Sequence, residues 1–109
     1  MGKLQDKIVI ITGGAAGIGS GIAKAMVKEG AIVVIVDLNE DTGKNMEKEL
    51  QAISPKSMFK KANLMDRDNL ETIIYTVVEK YGRIDVLVNN AHASKQKTIS
   101  ETTQEDLDL

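Results

Sequence analysis

The residues best suited to chemistry lie near the amino terminus. Thr12-Gly13-Gly14-Ala15-Ala16-Gly17-Ile18-Gly19 carries glycines spaced G-x-x-x-G-x-G between a β-branched apolar run and an amphipathic segment. A loop that leaves a buried strand and enters a helix aims the helix's free N–H groups, and the positive end of its dipole, at whatever occupies the turn. A pyrophosphate suits that place. Gly13 would supply the tight turn, Gly17 would let the backbone approach the phosphates, and Gly19 would allow close packing of helix on strand. Asp37, eighteen residues after Gly19, closes the next apolar run, where an acid is expected to accept from the ribose hydroxyls of a bound adenosine. The same carboxylate would repel a 2'-phosphate, and Ala15, Ala16 and Leu38 offer no compensating cation. The expectation is therefore NAD in preference to NADP.

Positioning these groups requires strands alternating with helices. Lys7 to Thr12 reads as the first strand, β-branched through Ile8-Val9-Ile10-Ile11 as expected of a parallel strand covered on both faces. A helix over Gly17 to Glu29 follows, with Ile18, Ile22, Ala25 and Met26 as its inward stripe and Gly30 as its cap. Ala31 to Asp37 is the second strand. Asp41 to Ile53 is a second helix, with Met46, Leu50 and Ile53 inward, ending before Pro55. Ser57 to Asn63 is the third strand. A third helix carries Leu70, Ile73, Ile74, Val77, Val78 and Tyr81 on one face, with Asp66 as N-cap and Gly82 as terminator. Asp85 to Asn89 is the fourth strand, and Thr102-Thr103-Gln104-Glu105 fits a capping box opening a fourth helix. The pattern predicts an α/β fold, a doubly wound parallel sheet of order 3-2-1-4, with polar strand ends gathered on one rim: Asp37, Asn63, and Asn89 with Asn90.

Composition narrows the function classes. The 109 residues leave room for one domain, spanning 1–109, and 42% hydrophobic with 28% charged residues is an ordinary globular mix. Fourteen Lys and Arg against sixteen Asp and Glu, with neither sign in a block, argue against a nucleic-acid partner. The longest apolar run, Ala31 to Val36, falls far short of the roughly 18 residues of a membrane span, and the first residues carry no apolar signal core. The chain reads as cytoplasmic and free of the membrane. With no cysteine and one histidine, His92, disulfides, thiolate sites and multi-histidine metal clusters are excluded.

Taken together, these residues resemble the classical short-chain dehydrogenases/reductases. The segment 12–19 matches that family's T-G-x-x-x-G-I-G loop, and Asp37 its strand-two acid. Asn63-Leu64 followed by Asp66 looks like its adenine-contacting segment, and Asn89-Asn90-Ala91 like its Asn-Asn-Ala-Gly motif. The resemblance implies a Rossmann-like domain holding a dinucleotide, with Gly13, Gly14, Gly17, Ile18 and Gly19 at the pyrophosphate and Asp37 and Leu38 at the adenosine. It also implies Asn63 and Leu64 at the adenine, and Asn90 and Ala91 at the nicotinamide-side ribose. His92 stands where the family usually has glycine, and an exposed loop residue is the expectation for it.

The resemblance covers essentially the whole chain but only the cofactor-binding part of a typical member. The family's catalytic serine and Tyr-x-x-x-Lys pair have no counterpart: Tyr75 is followed four residues later by Glu79, and Tyr81 by Asp85. The expectation is an incomplete fold with no catalytic residues and no activity alone. The intact parent would be a homo-oligomeric, NAD-dependent enzyme interconverting a secondary alcohol and a ketone. The alternative is a non-catalytic dinucleotide-binding or interaction module from a truncated gene product. Right-handed crossovers would put two helices on one sheet face and one on the other, leaving apolar residues such as Val9, Val86 or Val88 undercovered and the chain marginal in stability.

Overall fold

The structure is a computed structural model, and it describes residues 2–63 and 66–90. Four strands and three helices alternate: β1 (Ile8–Thr12), α1 (Gly17–Lys28), β2 (Ile32–Asp37), α2 (Glu40–Gln51), β3 (Met58–Lys61), α3 (Arg67–Tyr81) and β4 (Val86–Asn89). The strands form one parallel sheet of order β3-β2-β1-β4, the topology expected of the sequence.

Strand alternation divides the core in two. Ile8, Ile10, Val34, Val36 and Leu87 pack with Ile73 and Val77 of α3, whereas Val9, Ile11, Val33, Ile35 and Val88 pack with Ala23 and Val27 of α1 and Met46 and Leu50 of α2. Both faces of β1 are therefore buried, which explains its unbroken β-branched run. The undercovered strand surface expected above is not seen, since Val9 and Val88 are buried and Val86 is half-buried against the two-helix face.

Local signals explain the helix ends. Asn39, one residue beyond Leu38, caps α2 by accepting the Thr42 N–H at 3.1 Å, so this helix starts and stops earlier than the apolar stripe suggests, and Ile53 is exposed. Asp66 caps α3 by accepting from Asp68 N–H, and Gly82 ends it at φ 91°, a left-handed position that suits glycine. The stripe of α1 differs from expectation by one residue. Gly19, Ala23 and Val27 face the sheet with Ile22 and Met26 beside them, while Ile18 and Ala25 are exposed. The small residues let the helix axis come close to the strands. β3 is shorter than predicted and ends at Lys61, leaving Asn63 exposed two residues past the sheet. The fourth helix predicted from 102–105 lies outside the described residues.

Polar groups lock the amino-terminal edge of the sheet. Asp85 accepts the Ile8 N–H at 2.8 Å while its own N–H donates to the Ile8 carbonyl at 2.8 Å. Arg83 holds the same carboxylate at 2.9 Å. The buried Ser57 hydroxyl accepts from Val33 N–H, and the buried Ser54 hydroxyl donates to Ala31 O. The Ile8 amide first, and then Arg83, hold the Asp85 carboxyl below its usual range. A depressed carboxyl contributes stability above the ordinary carboxylate value and loses it as pH falls through the lower folded value. Thermal melts against pH should therefore show a decline below about pH 4. That decline should be shallower in Asp85→Asn, and identical slopes would exclude Asp85 as its source.

Candidate functional site

Three strand ends meet around the glycine loop. Gly13, at φ 68°, turns the chain out of β1, and its N–H still donates to Val36 O of β2 at 2.7 Å. Gly17, at φ 61°, opens α1 with no heavy atom within 4 Å of where a Cβ would sit. Gly19 is tightly confined. A Cβ there would lie 2.1 Å from the Gly13 carbonyl oxygen and 2.8 Å from the Asn90 side-chain nitrogen. Gly14 is also confined, its missing Cβ falling 2.6 Å from Ile35 Cγ2. The sequence assigned Gly19 to helix-on-strand packing, and the contact is in fact with the loop's own first turn.

The amino terminus of α1 differs from those of the other helices. No side chain caps it and its first turn holds no acid, whereas Asn39 and Asp66 cap α2 and α3 and both of those helices carry first-turn acids. Uncapped N–H groups beside an open glycine suit an anionic oxygen. Ile18, two-thirds exposed, stands at this terminus.

Asp37 ends β2 beside the loop. One carboxylate oxygen accepts from Ala15 N–H at 3.2 Å and the other from Asn39 N–H at 3.1 Å. An ionised carboxylate has about four acceptor sites, so two remain for further donors. Leu38 is exposed next to it. Asn63 sits in the loop after β3, two residues beyond the strand it was expected to close. Leu64 and Ala91 lie outside the described residues, as does His92.

Thr12, quoted in the loop motif with no role of its own, organises the other side. Its buried hydroxyl donates to Asn89 Oδ1 at 2.8 Å and accepts from Asn90 N–H at 2.9 Å. The Asn90 side-chain amide in turn donates to Gly13 O at 3.3 Å. β4 and the glycine loop are thus joined through one threonine. A hydroxyl at the last position of a fully buried strand was the available signal.

A cleft of about 870 Å3 opens instead at the amino-terminal edge, among Ile8, Ile32, Met58, Lys56, Tyr81 and Arg83. No glycine loop or helix amino terminus from the opposite rim lines it. Tyr81 there donates its hydroxyl to the Lys56 carbonyl, and burial, followed by Glu47, pushes its phenol up. Tyr75 is exposed on α3. Among the described residues no three potential metal ligands cluster, and no helix is long and apolar enough to cross a membrane.

Residues 7–109 match the short chain dehydrogenase family. The chain belongs to that family. It is 36% identical over 106 residues to the 3-oxoacyl-(acyl-carrier-protein) reductase FabG of Thermotoga maritima, covering 97% of this chain and 43% of that protein. It is 36% identical over 107 residues to the 3beta-hydroxysteroid dehydrogenase of Mediterraneibacter gnavus, covering 97% and 39%. A short chain dehydrogenase structure from Mycobacterium smegmatis superimposes with a TM-score of 0.78 at 34% identity, covering 99% of this chain and 45% of that one. The chain thus spans about two fifths of the length of the curated relatives it matches. The family is one of oxidoreductases that use nicotinamide cofactors.

Three glycine substitutions separate the roles argued above. Gly19→Ala should cost about 1–3 kcal/mol or more by overpacking against Gly13. Gly17→Ala should cost about 1–2 kcal/mol from its positive φ alone. Gly21→Ala, where nothing lies within 4 Å, should stabilise α1 by about 0.5–1 kcal/mol. Denaturant midpoints check the order, and equal effects at 19 and 21 would refute the close approach. Separately, Thr12→Val leaves the Asn90 N–H without its acceptor and should cost about 1–3 kcal/mol. Slowed amide exchange at Asn90 in that variant would refute the relay.

Proposed function

We propose that this chain supplies the dinucleotide-binding half of an NAD-dependent short-chain dehydrogenase/reductase that interconverts a secondary alcohol and a ketone. Gly13, Gly14, Gly17, Ile18 and Gly19 cradle the pyrophosphate, and Asp37 and Leu38 take the adenosine ribose. Asn63 and Leu64 flank the adenine, and Asn90 and Ala91 reach the nicotinamide-side ribose. The bound cofactor would supply hydride transfer, and the residues of this chain bind and orient it. The assembly is read as cytoplasmic and homo-oligomeric.

One observation carries the choice of NAD. The Asp37 carboxylate is fixed by two backbone N–H groups and keeps acceptor capacity for two hydroxyls. The 2'- and 3'-hydroxyls of an adenosine ribose fit that capacity, whereas a 2'-phosphate meets like charge. The two curated relatives named above share a ketone or hydroxyl couple in their names, on an acyl chain in one and a steroid in the other, so the likeness supports the reaction type and not one substrate.

Hydrogen bonds to a charged acceptor contribute about 1.5–3 kcal/mol each, so loss of the two at Asp37 in Asp37→Ala should weaken NAD binding by roughly 100-fold or more while weakening NADP far less. Calorimetric titration of both cofactors checks this. Comparable affinities of the unaltered protein for NAD and NADP would refute the assignment of Asp37.

A further inference from the structure

The register of the sheet brings a cation to the acid that is proposed to hold the ribose. Asp37 and Lys61 are paired residues at the carboxyl ends of β2 and β3. Paired residues of neighbouring parallel strands lie about 4.8 Å apart and share a face of the sheet. That face is the α1 and α2 side, because Val33 and Ile35 of β2 pack there and Phe59 of β3 packs with them. Lys60, one residue earlier, pairs with Val36 on the α3 face and is not part of this group.

Lys61 has little else to hold it. Its ammonium lies 3.8 Å from Glu40 Oε1 and the side chain is 55% exposed. The other Glu40 oxygen is already engaged by Lys44 at 3.3 Å. An exposed ion pair of this length contributes little and leaves the lysine free to follow a stronger anion. The charged groups at the start of α2 are then Asp37, Glu40 and Asp41 against Lys44 and Lys61.

We infer that Lys61 is a second, opposing determinant of cofactor choice: it partly offsets Asp37 toward a 2'-phosphate, so the preference for NAD is shallower than the acid alone would set. The inference rests on the reading that Asp37 meets the adenosine ribose. A neutral ribose feels Lys61 weakly, whereas a 2'-phosphate of charge near −2 feels it directly. None of the residues at 15, 16 or 38 could supply such a cation, whereas Lys61 is paired with Asp37 on the next strand and its ammonium stands beside Glu40 at the start of α2.

Titration of NAD and NADP against Lys61→Gln, Lys61→Glu and Lys61→Arg tests it, with the same variants repeated in an Asp37→Asn background so that NADP binding is strong enough to measure. Lys61→Gln should shift the NADP-to-NAD affinity ratio against NADP by about three- to tenfold at low salt, and Lys61→Glu further. Lys61→Arg should keep the wild-type ratio. The shift should shrink at about 0.5 M salt, where screening acts over a few ångströms. A ratio unmoved by Gln and Glu in both backgrounds overturns the inference, as do equal losses for the two cofactors, which would indicate a merely structural lysine. Asp37→Ala in parallel separates the two levels. Full NAD affinity in that variant overturns the ribose reading and this inference with it, whereas lost NAD affinity with an unmoved Lys61 ratio overturns only the inference.

Discussion

The peptide of Gly13 is gripped from three sides. Its N–H donates to β2 at Val36, its carbonyl accepts from the Asn90 side chain after β4, and the bare Cα of Gly19 in α1 presses against that same carbonyl. Each contact fixes a different element relative to the first turn, so the path of the loop, the entry angle of α1 and the end of β4 are set together. A side chain at Gly19 would push α1 outward and part Asn90 from Gly13 in one step. The open space at Gly17 and the uncapped helix terminus follow from this closure, because the loop consumes its room on the sheet side and leaves it on the outer side.

Electrostatics at the carboxyl end of β2 are built from backbone first and side chains second. Asp37 is anchored by the amides of Ala15 and Asn39, so its position depends on the glycine loop and on the start of α2 at once. Asn39 has a double part, since its N–H donates to Asp37 while its side chain caps α2. The helix cap and the candidate ribose acid therefore share one residue. Lys61 enters the same neighbourhood by strand register alone.

The sequence was most legible where a local rule has one answer. β1, β2 and the sheet order follow from β-branched runs and the strand-helix alternation, and Asp66 and Gly82 follow from capping chemistry. Large apolar residues misled where small ones decide the packing. Ile18 looked inward by spacing, yet Gly19, Ala23 and Val27 form the buried line because a close-packed helix wants little volume at its contact. The third strand, expected over Ser57 to Asn63, runs only from Met58 to Lys61. Neither that register nor the Thr12 relay is encoded in a short window, since each joins residues distant in sequence.

The two rims of the sheet are finished in opposite ways. At the amino-terminal edge side chains close the backbone: Asp85 on Ile8, Arg83 on the Asp6 carbonyl, Ser57 on Val33, Ser54 on Ala31 and Tyr81 on Lys56. Unpaired backbone groups there would cost about 1–3 kcal/mol each if buried, and these side chains remove that cost without any ligand. At the carboxyl edge the pattern changes, for α1 begins without a side-chain cap and Asp37 keeps acceptor sites in reserve. Polar capacity is thus used up internally at one rim and held in reserve at the other. The large amino-terminal cleft is consistent with this division. Its walls include residues already spent on internal bonds, while the first turn of α1 on the opposite rim has no side-chain cap.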